Sequence, residues 1–311
     1  MPDEDSPEQF GPPEFLGWHL LVSLKNRSGD QISRSKFLKL CCIADRYLLE
    51  ELDHDIGFPR YWYMYGELAN QHEFSGRFYN APSAIGYEGQ QYLPKQRFRR
   101  GDFDVTDQEI RLISAAVQWT VQNFGQQNVE KIKKHQYSEQ APNAFIQHYS
   151  ELRWALKNID LGSQQRLGKY INGPESNEQY IIERLDDMVE TFPDNERYTE
   201  MRAVYLRWDD TIRLMLEESG DYGEVEEFLD AFITALSKTV LRFEYNRNIS
   251  EERLQRWEND AAEARAEFTD TLRDTRSDLL RRRDRSTELD DVSEEYSDAI
   301  DDEITRILAG Q

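Results

Sequence analysis

A histidine flanked by carboxylates is a donor set that can hold a divalent metal, and Asp53-His54-Asp55 is the one place where acids flank a histidine on both sides. Ile56-Gly57-Phe58-Pro59 follows at once and reads as an exposed helix end with no further ligands converging, so no metal, cofactor or catalytic residue is expected there. Cys41 and Cys42 are adjacent, which rules out an ordinary disulfide between them and does not give zinc-finger spacing. They are expected to be buried, apolar thiols. The chain has no G-x-x-x-x-G-K-[ST], no G-x-G-x-x-G between strand and helix, no H-E-x-x-H and no G-x-S-x-G. Common NTPases, zinc peptidases and serine hydrolases are therefore disfavoured.

Two basic islands have residue types suited to phosphate: Lys95-Gln96-Arg97-Phe98-Arg99-Arg100, and Lys131-Ile132-Lys133-Lys134-His135. Guanidinium groups interleaved with an aromatic ring can clamp phosphates and stack on bases, or can receive an acidic protein partner. Tyr61-Trp62-Tyr63-Met64-Tyr65-Gly66 has strand composition. Side chains alternate along a strand, so Trp62 is expected in the core, with Tyr61, Tyr63 and Tyr65 on the outward face as a partner-binding edge ending at Gly66.

The elements that must position these groups follow from periodicity. A short amphipathic stretch runs from Phe15 to Leu24. Phe37, Leu40, Cys41, Ala44, Tyr47, Leu48 and Leu52 step by three and four and predict a well-buried helix over 35–52. The glycines and prolines of 71–102 predict a hairpin or irregular loop. Thr106-Asp107-Gln108-Glu109 has capping-box form, and Ile110, Ile113, Val117, Val121 and Phe124 continue it as a helical stripe. A polar connection is expected over 126–142 and a helix over 144–158. The glycines of 160–176 suggest a domain boundary there. Beyond it, helix follows helix, with separations at Pro193, at Gly220 to Gly223, at Ile249-Ser250 and at Ser286-Thr287. Leu254, Trp257, Ala261, Ala264, Phe268, Leu272, Thr275 and Leu279 make a heptad-like seam, followed by a last helix carrying Leu289 to Ile307.

The first part resembles the Panacea domain of antitoxins and SocA-like proteolytic adaptors. Lys36-Phe37-Leu38-Lys39-Leu40-Cys41-Cys42-Ile43-Ala44-Asp45 is similar to the family's K-L-x-K-L-x-Y-x-A-D helix, and Tyr61 to Gly66 is similar to its aromatic strand, with Glu67 where the family has proline. The resemblance spans about residues 14–158. It implies a compact, mainly helical domain with a small hairpin that binds a protein partner, a toxin among them, and it transfers no catalytic residue.

The fold expected is mainly α: a helical domain with a small β-hairpin over 14–160, then an acidic helical region over 175–311. That region would end in a long antiparallel or coiled-coil-like hairpin able to join copies of the chain. The function expected is a protein-interaction module rather than an enzyme. A DNA-binding transcriptional regulator using Lys95, Arg97, Arg99, Arg100, Lys131, Lys133 and Lys134 is the alternative. No run of about 18 apolar residues suggests a membrane span, and the acidic, proline-bearing start is unlike a signal peptide, so a cytoplasmic location is expected.

Charge separates the two parts. Sixty acidic side chains face 38 basic ones, for a net charge of −22, of which −4 falls in 1–160 and −18 in 161–311. A field of that size repels nucleic acid in general and drives the compact chain apart. Together with arginine-rich basic positions it predicts adaptation to high intracellular salt, since at 1 M the Debye length is only about 3 Å. The protein is expected to melt cooperatively in molar KCl and to lose much of that cooperativity in dilute buffer. Identical melts in the two buffers would remove the halophilic reading.

Overall fold

The computed structural model describes residues 10–28, 32–70, 85–88, 91–94, 100–164, 175–218 and 221–308. Among them the chain is mainly helical, with two small antiparallel sheets. Helix α1 spans Pro12–Ser28, α2 Arg34–Glu50, α3 Asp107–Phe124, α4 Val129–Gln140 and α5 Ala144–Gln164. Then come α6 Glu175–Thr191, α7 Glu196–Glu218, α8 Tyr222–Leu236 and α9 Glu251–Leu308. Strands β1 (Ile32–Ser33), β5 (Gln91–Pro94) and β4 (Ile85–Glu88) form one sheet in that order. In the other, β3 (Gly66–Ala69) and β6 (Asn246–Arg247) flank β2 (Arg60–Tyr63).

The chain divides into two compact units. The first comprises the described residues within 1–150 and 233–264, the second those within 151–232 and 265–311. The segment expected to separate two halves, 160–176, lies largely outside the described residues. The division falls instead inside α5, α8 and α9, so 233–264 belongs with the first unit.

In the first unit α2 is central. Every residue from Phe37 to Asp45 is buried, which leaves the helix no solvent face over more than two turns. Helices α1 and α3 and strand β3 pack on it. Ser33 caps its start by accepting from the Lys36 N–H. The capping box predicted for α3 is formed: Thr106 Oγ1 accepts from the Glu109 N–H at 3.2 Å, and the Thr106 N–H donates to Glu109 Oε2 at 2.7 Å. The loop-or-hairpin expectation for 71–102 meets β4 and β5, paired antiparallel from Ile85 opposite Pro94 to Glu88 opposite Gln91. Much of the rest of that segment lies outside the described residues.

The second unit is built on stacked aromatics. Trp208 and Phe232 lie 4.6 Å apart, Phe192 and Tyr205 4.3 Å, and Phe232 and Phe268 5.8 Å. Arginine forks lace its helices, with Arg153 gripping both oxygens of Asp230 at 2.7 and 3.0 Å.

Two expectations need correction. The polar connection over 126–142 is in fact largely helix α4, capped by the Asn128 side chain on the Lys131 N–H. Its buried stripe, Ile132, Gln136 and Tyr137, includes an amide and so carried little apolar signal. The long hairpin is not formed either: α9 is a single helix of 58 residues that continues through Ser286-Thr287. Serine and threonine in a helix interior cost only about 0.5 kcal/mol each and keep their N–H groups, unlike proline. As far as Leu279 the heptad-like seam is used internally, with Trp257 and Ala264 buried in the first unit and Phe268, Leu272 and Leu279 in the second.

A continuous α9 fixes a distance. Spin labels on cysteines introduced at Asp270 and Ser297 are expected about 40 Å apart, at 1.5 Å of rise per residue. A fold-back at 286–287 would bring the backbone positions to about 15 Å.

Candidate functional site

Five charged side chains meet where α2 faces the β2–β3 hairpin. Lys39, Asp45, Arg60 and Glu67 are buried, and Arg46 reaches in from a half-buried position. Arg60 Nε donates to Asp45 Oδ2 at 2.6 Å and its Nη1 to Glu67 Oε1. Arg46 Nε donates to Glu67 Oε2 at 2.7 Å, and its Nη1 to Glu50 at 2.8 Å. Among the described residues Lys39 touches no carboxylate. Its Nζ donates to Gln136 Oε1 at 2.7 Å and to the carbonyl of Tyr65, while Gln136 Nε2 donates to the Glu67 carbonyl at 3.3 Å.

The backbone makes this possible at Gly66, whose φ is +98°. A Cβ there would lie 2.6 Å from Gln136 Oε1 and 3.1 Å from Lys39 Nζ. The other carbonyl of the hairpin turn, that of Met64, accepts from the Tyr137 hydroxyl. Both turn carbonyls are thus tied to buried side chains of α2 and α4.

The electrostatics follow from burial. Desolvation brings the Lys39 amine down to about 7. Burial raises the Asp45 carboxyl to about 6 against the pull of Arg60. Burial opposes the Arg60 and Arg46 cations most strongly of any single cause, but their carboxylate partners together outweigh it, Glu67 with Asp45 for Arg60 and Glu67 with Glu50 for Arg46, and hold both above the ordinary arginine value. The Cys41 and Cys42 thiols are free, buried and pushed well up by desolvation, and Cys42 lies in the field of Glu67, Arg60, Lys39 and Asp45. An amine near neutrality is a base or nucleophile where substrate can reach it. Here it is enclosed, and two neutral acceptors occupy it.

The residues singled out from the sequence are distributed unevenly. Trp62 is buried, as expected. Tyr61, Tyr63 and Tyr65 are half-buried rather than an open face, and β2 is paired on both sides, with β6 opposite Arg60 and Tyr61, so it is the centre of its sheet. Tyr61 packs on Trp257 with ring centroids 4.9 Å apart. Gly66 is buried and serves the interior. Lys133 brings the second basic island to the turn: its Nζ lies 4.5 Å from the centroid of the Tyr65 ring and 2.9 Å from Glu130. Lys131 and Lys134 are exposed on α4. Lys95, Arg97 and Arg99 lie outside the described residues; Arg100 begins a short 3-10 turn, and its side chain is not described.

Asp53-His54-Asp55 closes the end of α2. Asp55 accepts from the Gly57 N–H at 2.9 Å and from Arg247 at 2.6 Å, contacts that hold its carboxyl below the usual value. Among the described residues no group of three histidine, cysteine or acidic side chains is placed to hold a metal ion. No helix among them is long and apolar enough to cross a membrane. In the second unit a groove of about 360 Å³ has Met215, Phe228, Ala231 and Leu279 among its lining, with Glu224, Glu227, Asp278 and Arg282 beside them.

Sequence reasoning missed Arg60, Glu67 and Gln136 as partners. The available signal was Lys39 and Asp45, two charges in a helix predicted to be well buried. Comparison with protein-family models, with curated proteins and with solved structures found no match to this chain.

The lysine gives a pH dependence. The unfolded chain keeps this proton to about pH 10, whereas the folded protein releases it near 7, so folding stability rises with pH above 7. Between pH 7 and about 8.5, below ordinary cysteine titration, the slope is expected to approach 1.4 kcal/mol per pH unit as a rough upper bound. Denaturant melts across this range should rise for the wild type and flatten in Lys39→Met. An unchanged slope would place the dependence elsewhere.

Proposed function

We propose that the chain is a protein-interaction module that acts by direct binding, in the manner of an antitoxin or proteolytic adaptor, with the Met64–Tyr65 turn and α4 as its docking surface. The observation that carries this reading is the anchoring of the turn. Lys39 and Tyr137 hold its two carbonyls from below, so the Tyr65 ring, with Lys133 over it, is presented without the entropy cost of ordering a loop on binding. In a chain of net charge −22, Lys133 at that ring and the exposed Lys131 and Lys134 of the same helix give an acidic protein a place to approach without repulsion.

The second reading, a DNA-binding regulator, draws on the same exposed lysines. Co-expression with the product of a neighbouring gene separates the two. A complex that survives purification in molar KCl, relieves that product's toxicity and weakens at least tenfold in Tyr65→Ala/Lys133→Glu is the expected result. Failure to form any complex, combined with DNA retention that falls steeply with salt and is lost in Lys131→Glu/Lys134→Glu, would transfer the surface to nucleic acid.

A further inference from the structure

The helical ladder changes its pattern where α8 gives way to the next turn. Ser237–Leu241 is a π-helical segment, and the Arg242 N–H donates to the Ser237 carbonyl five residues back. A π segment places one extra residue in a helical turn, so the side chains after it are rotated by about 100° from their α-helical positions. The side chain re-aimed in this way is Arg242. It is buried by β2, against the edge-to-face pair of Phe243 and Trp257, with its guanidinium carbon 5.3 and 5.1 Å from their centroids.

This buried cation is poorly compensated. Its Nη2 donates to the Trp257 carbonyl at 2.7 Å, and the nearest carboxylate with which it pairs, on the exposed Asp260, is 3.9 Å away. Its Nε finds no acceptor among the described residues, and neither does the Nε of Arg253, whose guanidinium carbon lies 5.8 Å from the centroid of the Trp257 ring. Burial lowers the Arg242 pKa, whereas Arg46, Arg60, Arg184 and Arg213 are all held up by carboxylates. Tyr61 and Tyr63, on the half-buried side of β2, sit in the field of Arg242, and Tyr61 also in that of Arg253. The Tyr61 ring lies 4.9 Å from Trp257 and 6.0 Å from the Tyr63 ring, so two cations with unused donors and one phenol meet at one tryptophan with a second phenol next to the first, all within the first unit.

We infer that Arg242, Arg253, Tyr61 and Tyr63 form a binding site for a small oxyanion, a phosphate or a carboxylate group. An anion there supplies the acceptors that both Nε donors lack, and a buried guanidinium binds such groups through short, charge-assisted hydrogen bonds. The phenols add neutral donors, and Trp257 holds the two arginines at a fixed spacing. The site is independent of partner docking at Tyr65.

Thermal unfolding tests it with inorganic phosphate and, separately, glutarate as probes, each replacing KCl at constant ionic strength. The wild-type midpoint should rise saturably with at least one probe. A response to phosphate alone, to glutarate alone or to both identifies which oxyanion the site takes. Arg253→Gln should weaken the apparent affinity roughly ten- to hundredfold, as for a lost hydrogen bond to a charged group. Arg242→Met should abolish the response while keeping the helical circular dichroism. Should Arg242→Met fail to fold, Arg253→Gln decides alone. No saturable rise with either anion, or a rise that Arg253→Gln leaves unchanged, overturns the inference.

Discussion

The first unit depends on the terms under which charge is buried between α2 and the β2–β3 hairpin. Removing a charge from water costs several kcal/mol even after relaxation, and is tolerated only where partners and hydrogen bonds replace the solvent. Asp45 and Glu67 meet Arg46 and Arg60, two carboxylates against two guanidiniums. A fifth charge at Lys39 would unbalance that set, and the amine is brought toward its neutral form instead, with its donors on a backbone carbonyl and an amide. Such an arrangement buys little stability over an apolar core of the same volume, but it sharply penalises misalignment. A strand slipped by one residue would strand both arginines. The cluster therefore fixes the register of hairpin against helix, and through it the position of the turn at Met64–Tyr65.

That turn shows how an interior constraint becomes a surface property. Gly66 has no side chain because Lys39 and Gln136 occupy the space where one would be, and its positive φ brings the Tyr65 carbonyl to the lysine. Tyr65 and Lys133 meet because α4 is held to the same hairpin from below by Gln136 and Tyr137. The aromatic and cationic groups on the outside are thus set by amide and hydroxyl contacts on the inside.

What was legible in the sequence was what is local. Spacings of three and four located α2, and four residues, Thr106 to Glu109, located the start of α3 by a hydrogen-bond exchange that needs no tertiary partner. What escaped was non-local or polar. Helix α4 turns a glutamine to the interior, so its buried face does not register as apolar, and the partner that lets the glutamine be buried is Lys39, 97 residues away. The joining of 233–264 to the first unit rests on β6 pairing with β2 and on Trp257 packing against Tyr61, contacts that no window on the chain contains. Ser286-Thr287 has the composition of a helix start, yet the same residues continue a helix whose hydrogen-bond ladder is already running. The buried ionic cluster was half visible, in Lys39 and Asp45; the groups that answer them, Arg60 of β2, Gln136 of α4 and with them Glu67 of β3, lie at sequence distances no local pattern spans.

Arg60 and Arg242 set the two uses of buried charge side by side. Both arginines are more than nine-tenths buried, at 7% and 5% exposure, and both lie against β2 or within it. Arg60 is answered by two carboxylates at hydrogen-bonding distance, and its charge is spent inside the protein. Arg242 is answered by π-faces, one carbonyl and a carboxylate beyond hydrogen-bonding reach, and it is placed there by a helix that departs from its own regular ladder. Cation–π contacts contribute about 0.5–2 kcal/mol each, less than the cost of taking an unpaired guanidinium out of water. In a chain with 60 acidic side chains, a missing carboxylate is not a matter of supply. The same sheet that closes one arginine off with internal partners leaves the other with donors still to satisfy, which is the physical difference between a residue that holds a fold and one that holds a ligand.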